Sequence, residues 1–319
     1  MLEVKKLSKY FGTKKAVSDL SFSVENGDIL GFIGPNGAGK STTMRIITGY
    51  LQQSAGQITV CGKDIEESPK FTKSKIGYLP ENAPLYTNKT VYEFLSFIAE
   101  IRGFFGKEKK KKIEEVLEQC FLIPVKNQVI DTLSKGYRHR TCFAQSILHD
   151  PAILILDEPT DGLDPNQKRE IRNLIKNMGK NKAIILSTHI LEEVEAVTNR
   201  VLLIANGKKV YEGTPEDLKS NSLYAGSIIL NLANKDLENA KEILTNIQTI
   251  QEVDILPESN NKQLSLRIMH SNKTRENIQK AILEKAFQEE WQVLELKIET
   301  GNLESVFADL TSNQSGRLK

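Results

Sequence analysis

The segment Gly34-Pro35-Asn36-Gly37-Ala38-Gly39-Lys40-Ser41 lies between the apolar run Ile29 to Ile33 and a helical pattern beginning near Thr42. It fits G-x-x-x-x-G-K-[ST] in the strand-to-helix setting that this loop requires. Its glycines let backbone N–H groups converge on phosphate oxygens, and the helix N-terminus behind them favours negative charge. Residues Gly34 to Thr42 are therefore expected to bind ATP, with Lys40 reaching the β- and γ-phosphates and Ser41 ligating Mg2+. Such a loop commits its surroundings to an α/β layer architecture with a mostly parallel sheet.

From Met1 to about Leu218 the sequence alternates short apolar runs with helical patterns. Ile29 to Ile33, Ile153 to Leu156 and Ala183 to Leu186 read as buried strands, each ending where ligands of a parallel sheet are bound. Between about 88 and 150 the rhythm turns helical: Tyr92, Leu95, Ile98 and Ala99, then Ile113, Val116 and Leu117, recur at spacings of three and four. Gly213-Thr214-Pro215 and the polar stretch Lys219 to Ser222 mark a boundary, giving a first domain over 1–218 and a second over 225–319. The second reads strand, helix, strand, strand, helix, strand. Leu264, Leu266 and Ile268 alternate with Ser265 and Arg267; Leu294, Leu296 and Ile298 alternate with Glu295 and Lys297. Leu237, Ala240, Ile243, Leu244 and Ile247 keep a helical stripe. With a turn expected at Asn260-Asn261 and a short helix at Leu303 to Leu310, this order predicts a small ferredoxin-like α+β domain.

Composition narrows the partners. Net charge is +2 and the isoelectric point about 8.2, short of the basic balance of about 9 or more that marks a nucleic-acid-binding domain. No nucleic acid is expected as a partner. Cys61, Cys120 and Cys142 show no C-x-x-C spacing, which argues against a disulfide framework or zinc site. The N-terminus has no apolar block of signal-peptide length, and the longest apolar stretches fall far below the ~20 residues of a membrane helix.

Ala152-Ile153-Leu154-Ile155-Leu156-Asp157-Glu158 is an apolar run that ends in two acids. Asp157 at the strand tip is placed to hold Mg2+, and Glu158, one residue beyond, to orient and deprotonate a water attacking the γ-phosphate. Leu133-Ser134-Lys135-Gly136-Tyr137 resembles the LSGGQ signature of ATP-binding cassette (ABC) proteins, Asp161-Gly162-Leu163-Asp164 their D-loop, and His189 their switch histidine. These motifs, in order with the glycine-rich loop and the acid pair, cover residues 1 to about 215.

The resemblance implies a P-loop ABC cassette with a helical subdomain, working as an ATPase with ATP and Mg2+. It implies that two cassettes pair head to tail, each ATP lying between one chain's P-loop and the other's signature. Carried over, Ser134 and Gly136 contact the γ-phosphate in trans, His189 contacts it in cis, and Asp164 couples the two sites. Phe11 takes the place of the aromatic that stacks on adenine, with Tyr10 as the neighbouring candidate. The signature departs from the family at Lys135 and Tyr137, where Gly and Gln are common. After Ile76-Gly77-Tyr78-Leu79-Pro80, Glu81 stands where the family has a glutamine; it serves either as an Mg2+ ligand or as a hinge toward a partner.

His139, His149 and His270 lack ligand spacing and read as structural or surface residues, Trp291 as a packing anchor, and Lys107 to Lys112 as the solvated start of a helix. An isolated cassette resembles the peripheral ATPase subunit of a transporter on the cytoplasmic face of a membrane. Its partners would be transmembrane permease subunits, docked on the segment Glu81 to Phe105, and a second ATPase subunit, identical or paralogous. Gly213-Thr214-Pro215-Glu216, the α+β tail and Leu303-Glu304-Ser305-Val306-Phe307 together resemble the branch that exports drugs, sodium and other cargo. The alternatives are a soluble ABC ATPase acting on a ribosomal or nucleic-acid complex, and a non-hydrolysing scaffold.

Overall fold

Runs of β-branched and leucine residues become strands buried on both faces. In the computed structural model, Ile29–Ile33, Ile153–Asp157 and Ala183–Ser187 have every residue buried, as strands covered by other layers above and below must. The structure describes residues 1–82, 84–220, 224–233, 237–247, 249–257, 263–270, 275–299, 303, 304, 306 and 307. They form two compact units, one comprising Met1–Pro215 and the other within Glu216–Asp309.

The first unit runs β1 (Leu2–Phe11), β2 (Lys14–Val24), β3 (Ile29–Ile33), α1 (Lys40–Ile47), β4 (Ala55–Val60), β5 (Lys63–Asp64), α2 (Pro69–Lys75) and β6 (Ile76–Leu79). Helices α3 (Val91–Ile101), α4 (Gly106–Gln119) and α5 (Lys135–Ile147) follow, then β7 (Ile153–Asp157), α6 (Pro165–Gly179), β8 (Ala183–Ser187), α7 (Leu191–Val197), β9 (Arg200–Ala205) and β10 (Lys208–Gly213). Helix α8 (Pro215–Ser220) leads out of it.

A six-stranded sheet has the order β10-β9-β3-β8-β7-β6. All its pairs are parallel except that of β10 with β9. Successive side chains of a strand point to opposite faces, and here each face has its own core. Leu154, Leu156, Ile184 and Leu186 pack with the helical region through Phe94, Leu95, Ile113, Leu117 and Phe143. Ile153, Ile155, Ile185, Leu30 and Phe32 pack with α1 and with residues Leu2, Val4, Leu20 and Ile58 of the β2-β1-β4-β5 sheet. Helix α3 starts at a capping box: Thr90 N donates to Glu93 Oε2 at 2.8 Å and Glu93 N to Thr90 Oγ1 at 3.2 Å. The lysine run lies inside α4, where Lys110 and Lys111 approach Glu114 and Glu115 one turn on.

In the second unit β11 (Ile228–Ala233), α9 (Leu237–Thr245), β12 (Ile250–Ile255), β13 (Gln263–His270), α10 (Arg275–Gln288) and β14 (Val293–Ile298) form an antiparallel sheet of order β12-β13-β11-β14. That is the expected ferredoxin-like arrangement. Its core joins Leu230, Leu264, Leu266 and Ile268 to Ala240, Leu244, Ile278 and Ile282, and Trp291 packs against it.

One expected pattern fails in β14. A register shift between Asn231 and Leu232 pairs Leu232 with Val293 and skips Leu294, which is 52% exposed. Ile298 is exposed as well, because β14 is an edge strand with one neighbour. Asn260-Asn261 and half of Leu303 to Leu310 lie outside the described residues; Leu303, Glu304, Val306 and Phe307 are helical.

Candidate active site

The glycine-rich loop takes its shape from two close approaches. A Cβ at Gly34 would lie 2.3 Å from the Ile204 carbonyl oxygen, and Gly39 sits at φ 107 with a Cβ position 2.6 Å from the Ala16 carbonyl oxygen. Only glycine fits either position. Gly39 caps α1, whose first residue, Lys40, is 8% exposed. The Lys40 ammonium donates to the carbonyls of Gly34 at 2.6 Å and Pro35 at 3.2 Å. Burial pushes its pKa down, while Glu158, Asp157 and Glu81 pull it back up, as carboxylates near a cation do.

Those carboxylates arrive from neighbouring strand tips. Parallel register aligns Leu79, Leu156 and Leu186, so the residues beyond them emerge side by side. Asp157, 4% exposed, accepts a hydrogen bond from the Ser187 hydroxyl on the adjoining strand. Glu158 occupies the left-handed region at φ 52, a conformation costly for a non-glycine residue unless its surroundings hold it. Its N–H donates to Ser187 O at 3.0 Å, and its Oε1 accepts from His189 Nδ1 at 2.9 Å. Burial raises the Glu158 pKa and the hydrogen bond from His189 opposes the rise. A carboxyl group tuned upward and aimed by an imidazole can act as a proton acceptor near neutral pH.

A cavity of about 590 Å3 unites these parts. Phe11, Asn36, Gly37, Gly39, Lys40, Ser41, Thr42, Glu81, Asp157, Glu158 and His189 all line it, together with Lys14, Ala16 and Asp161. Phe11 comes from the β1–β2 hairpin and is half exposed; Tyr10 does not line the cavity and faces Lys15 instead. Asp157, Ser41 and Glu81 bring oxygen donors to the cavity wall, a hard set suited to a divalent cation that completes its shell with phosphate and water.

The remaining expected residues lie outside this wall. Gly34, Pro35 and Ala38 form the turn behind it, with Ala38 N donating to Pro35 O. Ser134 caps α5 and accepts from Tyr137 N at 3.4 Å, while Asp164 caps α6 and accepts from Gln167 N at 3.0 Å. Gly136 allows the α5 terminus to press against α6, since a Cβ there would meet Gln167 Oε1 at 2.3 Å. Lys135, the departure in the signature, donates to Asp161 Oδ2 at 2.9 Å. Asp161, Lys14 and Ala16 were not singled out as site residues; Asp161 stands three positions past Glu158, a spacing that could have flagged it. His149 and His270 bond backbone carbonyls of Ile76 and Gly226, consistent with structural roles.

Residues 17–161 match the family model described as ABC transporter. The chain is 33% identical over 312 residues to the linearmycin resistance ATP-binding protein LnrL of Bacillus subtilis, spanning 98% of each chain. It is 33% identical over 246 residues to the Nod factor export ATP-binding protein I of Cupriavidus pinatubonensis, covering 77% of this chain and 75% of that one. A solved ATP-binding subunit of an ABC transporter superposes with a TM-score of 0.64 at 30% identity, over 69% of this chain and 92% of the other. With similarity running the length of the chain and a nucleotide-sized cavity walled by its motifs, the protein belongs to the ABC transporter ATP-binding subunits and is an ATPase of that family.

Proposed function

We propose that this chain hydrolyses ATP to drive export through separate transmembrane permease subunits, with Glu158 as the general base. The observation that carries the reading is the meeting of Lys40, Asp157, Glu158 and His189 in one cavity. In this reading the phosphates lie against Asn36 to Thr42 at the α1 N-terminus, where N–H groups and helix dipole favour them. Lys40, which faces the carbonyls of its own loop, turns to the β- and γ-phosphate oxygens. Glu158 takes the proton of the attacking water, and His189 fixes the carboxylate's direction from Nδ1 and contacts the γ-phosphate. Phe11 stacks on the adenine. A magnesium ion would be held by Asp157 and Ser41, with Glu81 as a further oxygen donor, and supplies neutralisation of phosphate charge.

Ser134 and Gly136 complete a second copy's site, identical or paralogous, in a head-to-tail dimer. Their position at a helix N-terminus outside their own cavity supports that reading. Asp164 couples the two sites. Among the described residues no helix is long and apolar enough to cross a membrane; relatives that are ATP-binding proteins of resistance and export systems support peripheral association on the cytoplasmic face. The exposed Tyr86, Ile101 and Phe105 in the segment 81–105 suit docking of permease loops. Relatives named for resistance and export support the direction, and they lend nothing to a ribosomal or nucleic-acid role. Residues 225–319 serve as an accessory domain that stabilises or regulates the dimer.

The test compares purified wild type with Glu158→Gln. Turnover should fall by roughly 10²- to 10⁴-fold, the usual contribution of a general base, while the variant accumulates as an ATP-bound dimer on size exclusion. Equal turnover by the two proteins would overturn the assignment.

A further inference from the structure

Against Thr160 and Thr188 lies a carboxylate that belongs to none of the motifs named above. Glu193, in the first turn of α7, is 1% exposed. A buried carboxylate is costly unless its oxygens are satisfied, and here both are. Oε1 accepts from the Thr160 hydroxyl and from Arg172 Nη2 at 3.2 Å, with Lys168 Nζ at 3.7 Å. Oε2 accepts from Thr188 Oγ1 at 3.2 Å.

The hydroxyl partners come from two different strand-tip loops. Thr160 lies two residues past Glu158, and Thr188 is the residue before His189. Thr188 is fixed further, since its Oγ1 accepts from Ile190 N at 3.0 Å. The cations Lys168 and Arg172 stand one turn apart on α6. Glu193 therefore joins the chain after β7, the chain after β8 and α6 at a single buried point.

We propose that Glu193 is a positioning residue for hydrolysis: by tying Thr160 to Thr188 it holds Glu158 and His189 in register and so maintains their 2.9 Å contact. Balancing Arg172 and Lys168 needs a carboxylate but not these two threonines. The residues they flank are the ones that need holding. Glu158 carries a left-handed backbone, and the His189 side chain is 62% exposed and hydrogen-bonded to Glu158. A displacement of about 1 Å at a reacting group is enough to cost ~10²-fold in rate. The proposal rests on the reading of Glu158 as the base.

The experiment measures kcat, KM and equilibrium ATP affinity for wild type, Glu193→Ala, Glu193→Gln, Thr160→Val and Glu158→Gln. Glu193→Ala should lower kcat at least about tenfold while KM and ATP affinity stay within about twofold, since the phosphate-binding loop hangs from β3 and α1 instead. Glu193→Gln, which keeps a hydrogen-bonding oxygen and the side chain's shape, should recover most of the rate. Thr160→Val leaves both ion pairs in place, so it reports even if Glu193→Ala does not fold; its kcat should fall by about three- to tenfold. Added to Glu158→Gln, Thr160→Val should change the residual rate by less than about twofold, because partners acting as a unit are not additive. Wild-type kcat in Thr160→Val, or an equal loss on the Glu158→Gln background, would overturn the proposal and leave Glu193 as a fold anchor. Full turnover by Glu158→Gln is a separate result, one that removes the base itself.

Discussion

The six-stranded sheet of the first unit and the antiparallel sheet of the second solve the placement of polar groups in opposite ways. In β7 and β8 of the parallel sheet every position is buried and apolar until the last residue. Both faces are covered, so polar side chains have nowhere to go but the strand ends. Asp157, Glu158, Ser187 and His189 consequently crowd one rim. The antiparallel sheet spreads its polar residues along one face instead. There Arg267 donates to Glu299 from Nε at 2.8 Å and Nη2 at 3.0 Å, Ser227 donates to the same carboxylate, Asn231 donates to Glu295, and Tyr224 covers the guanidinium. Apart from Asn231 Oδ1, which is buried without a partner, these groups satisfy one another. Chemistry is concentrated by the first arrangement and dispersed by the second.

Truncation inside the parallel sheet is the sharpest way to test that contrast. Ile155, fully buried in the β7 interior, should cost about 2–5 kcal/mol as Ile155→Ala, read as a loss of urea stability. Because the rim is carried on the same strands, heat inactivation of ATPase activity should move down in temperature with it. A cost below about 1 kcal/mol, the size of an ordinary substitution, would mean that the rim is held by something other than the buried strands.

A smaller effect is expected at the other end of the same sheet. His149 Nε2 bonds the Ile76 carbonyl at 3.0 Å where β6 begins, and burial, helped by nearby Arg102, holds its pKa at about 4 against an ordinary 6.5. The folded state resists protonation that the unfolded chain accepts, so stability is full above about 6.5 and is lost as pH falls toward about 4. By pH 5 the loss from this group is about 2 kcal/mol. His149→Gln keeps a polar group beside Ile76 and removes the titration, so its stability should fall about 2 kcal/mol less than wild type's between pH 7 and pH 5 in urea melts. Parallel pH curves for the two proteins would refute the claim.

The least effect belongs to the antiparallel edge. Leu294 is apolar by sequence yet 52% exposed, and Leu294→Ala should change stability by no more than about 0.5 kcal/mol. A cost near that of Ile155→Ala would break the comparison between the sheets.

The failure at Leu294 shows where sequence pattern stops. Alternation in Leu294, Leu296 and Ile298 is a local signal, and it correctly announces a strand. Which of its residues face the core is set by the register shift opposite Asn231 and Leu232, more than sixty residues away. Glu193 is a stronger case. As one of several acids in Leu191-Glu192-Glu193-Val194-Glu195 it reads as a helix-surface residue, and neither its burial nor its threonine partners has any trace in local spacing.

The sequence by itself determined the parts whose physics is local: glycines that permit the phosphate loop, apolar runs that must be buried strands, acids and a histidine at their ends, and a ferredoxin-like order of elements. Each depends on residues a few positions apart, so composition and period carry it. Tertiary structure alone decided what crosses between segments: the Glu158–His189 contact, the pairing of Lys135 with Asp161, the Glu193 anchor and the exposed face of β14. Those contacts join residues 26 to 33 positions apart or depend on strand register, and only packing brings such residues together.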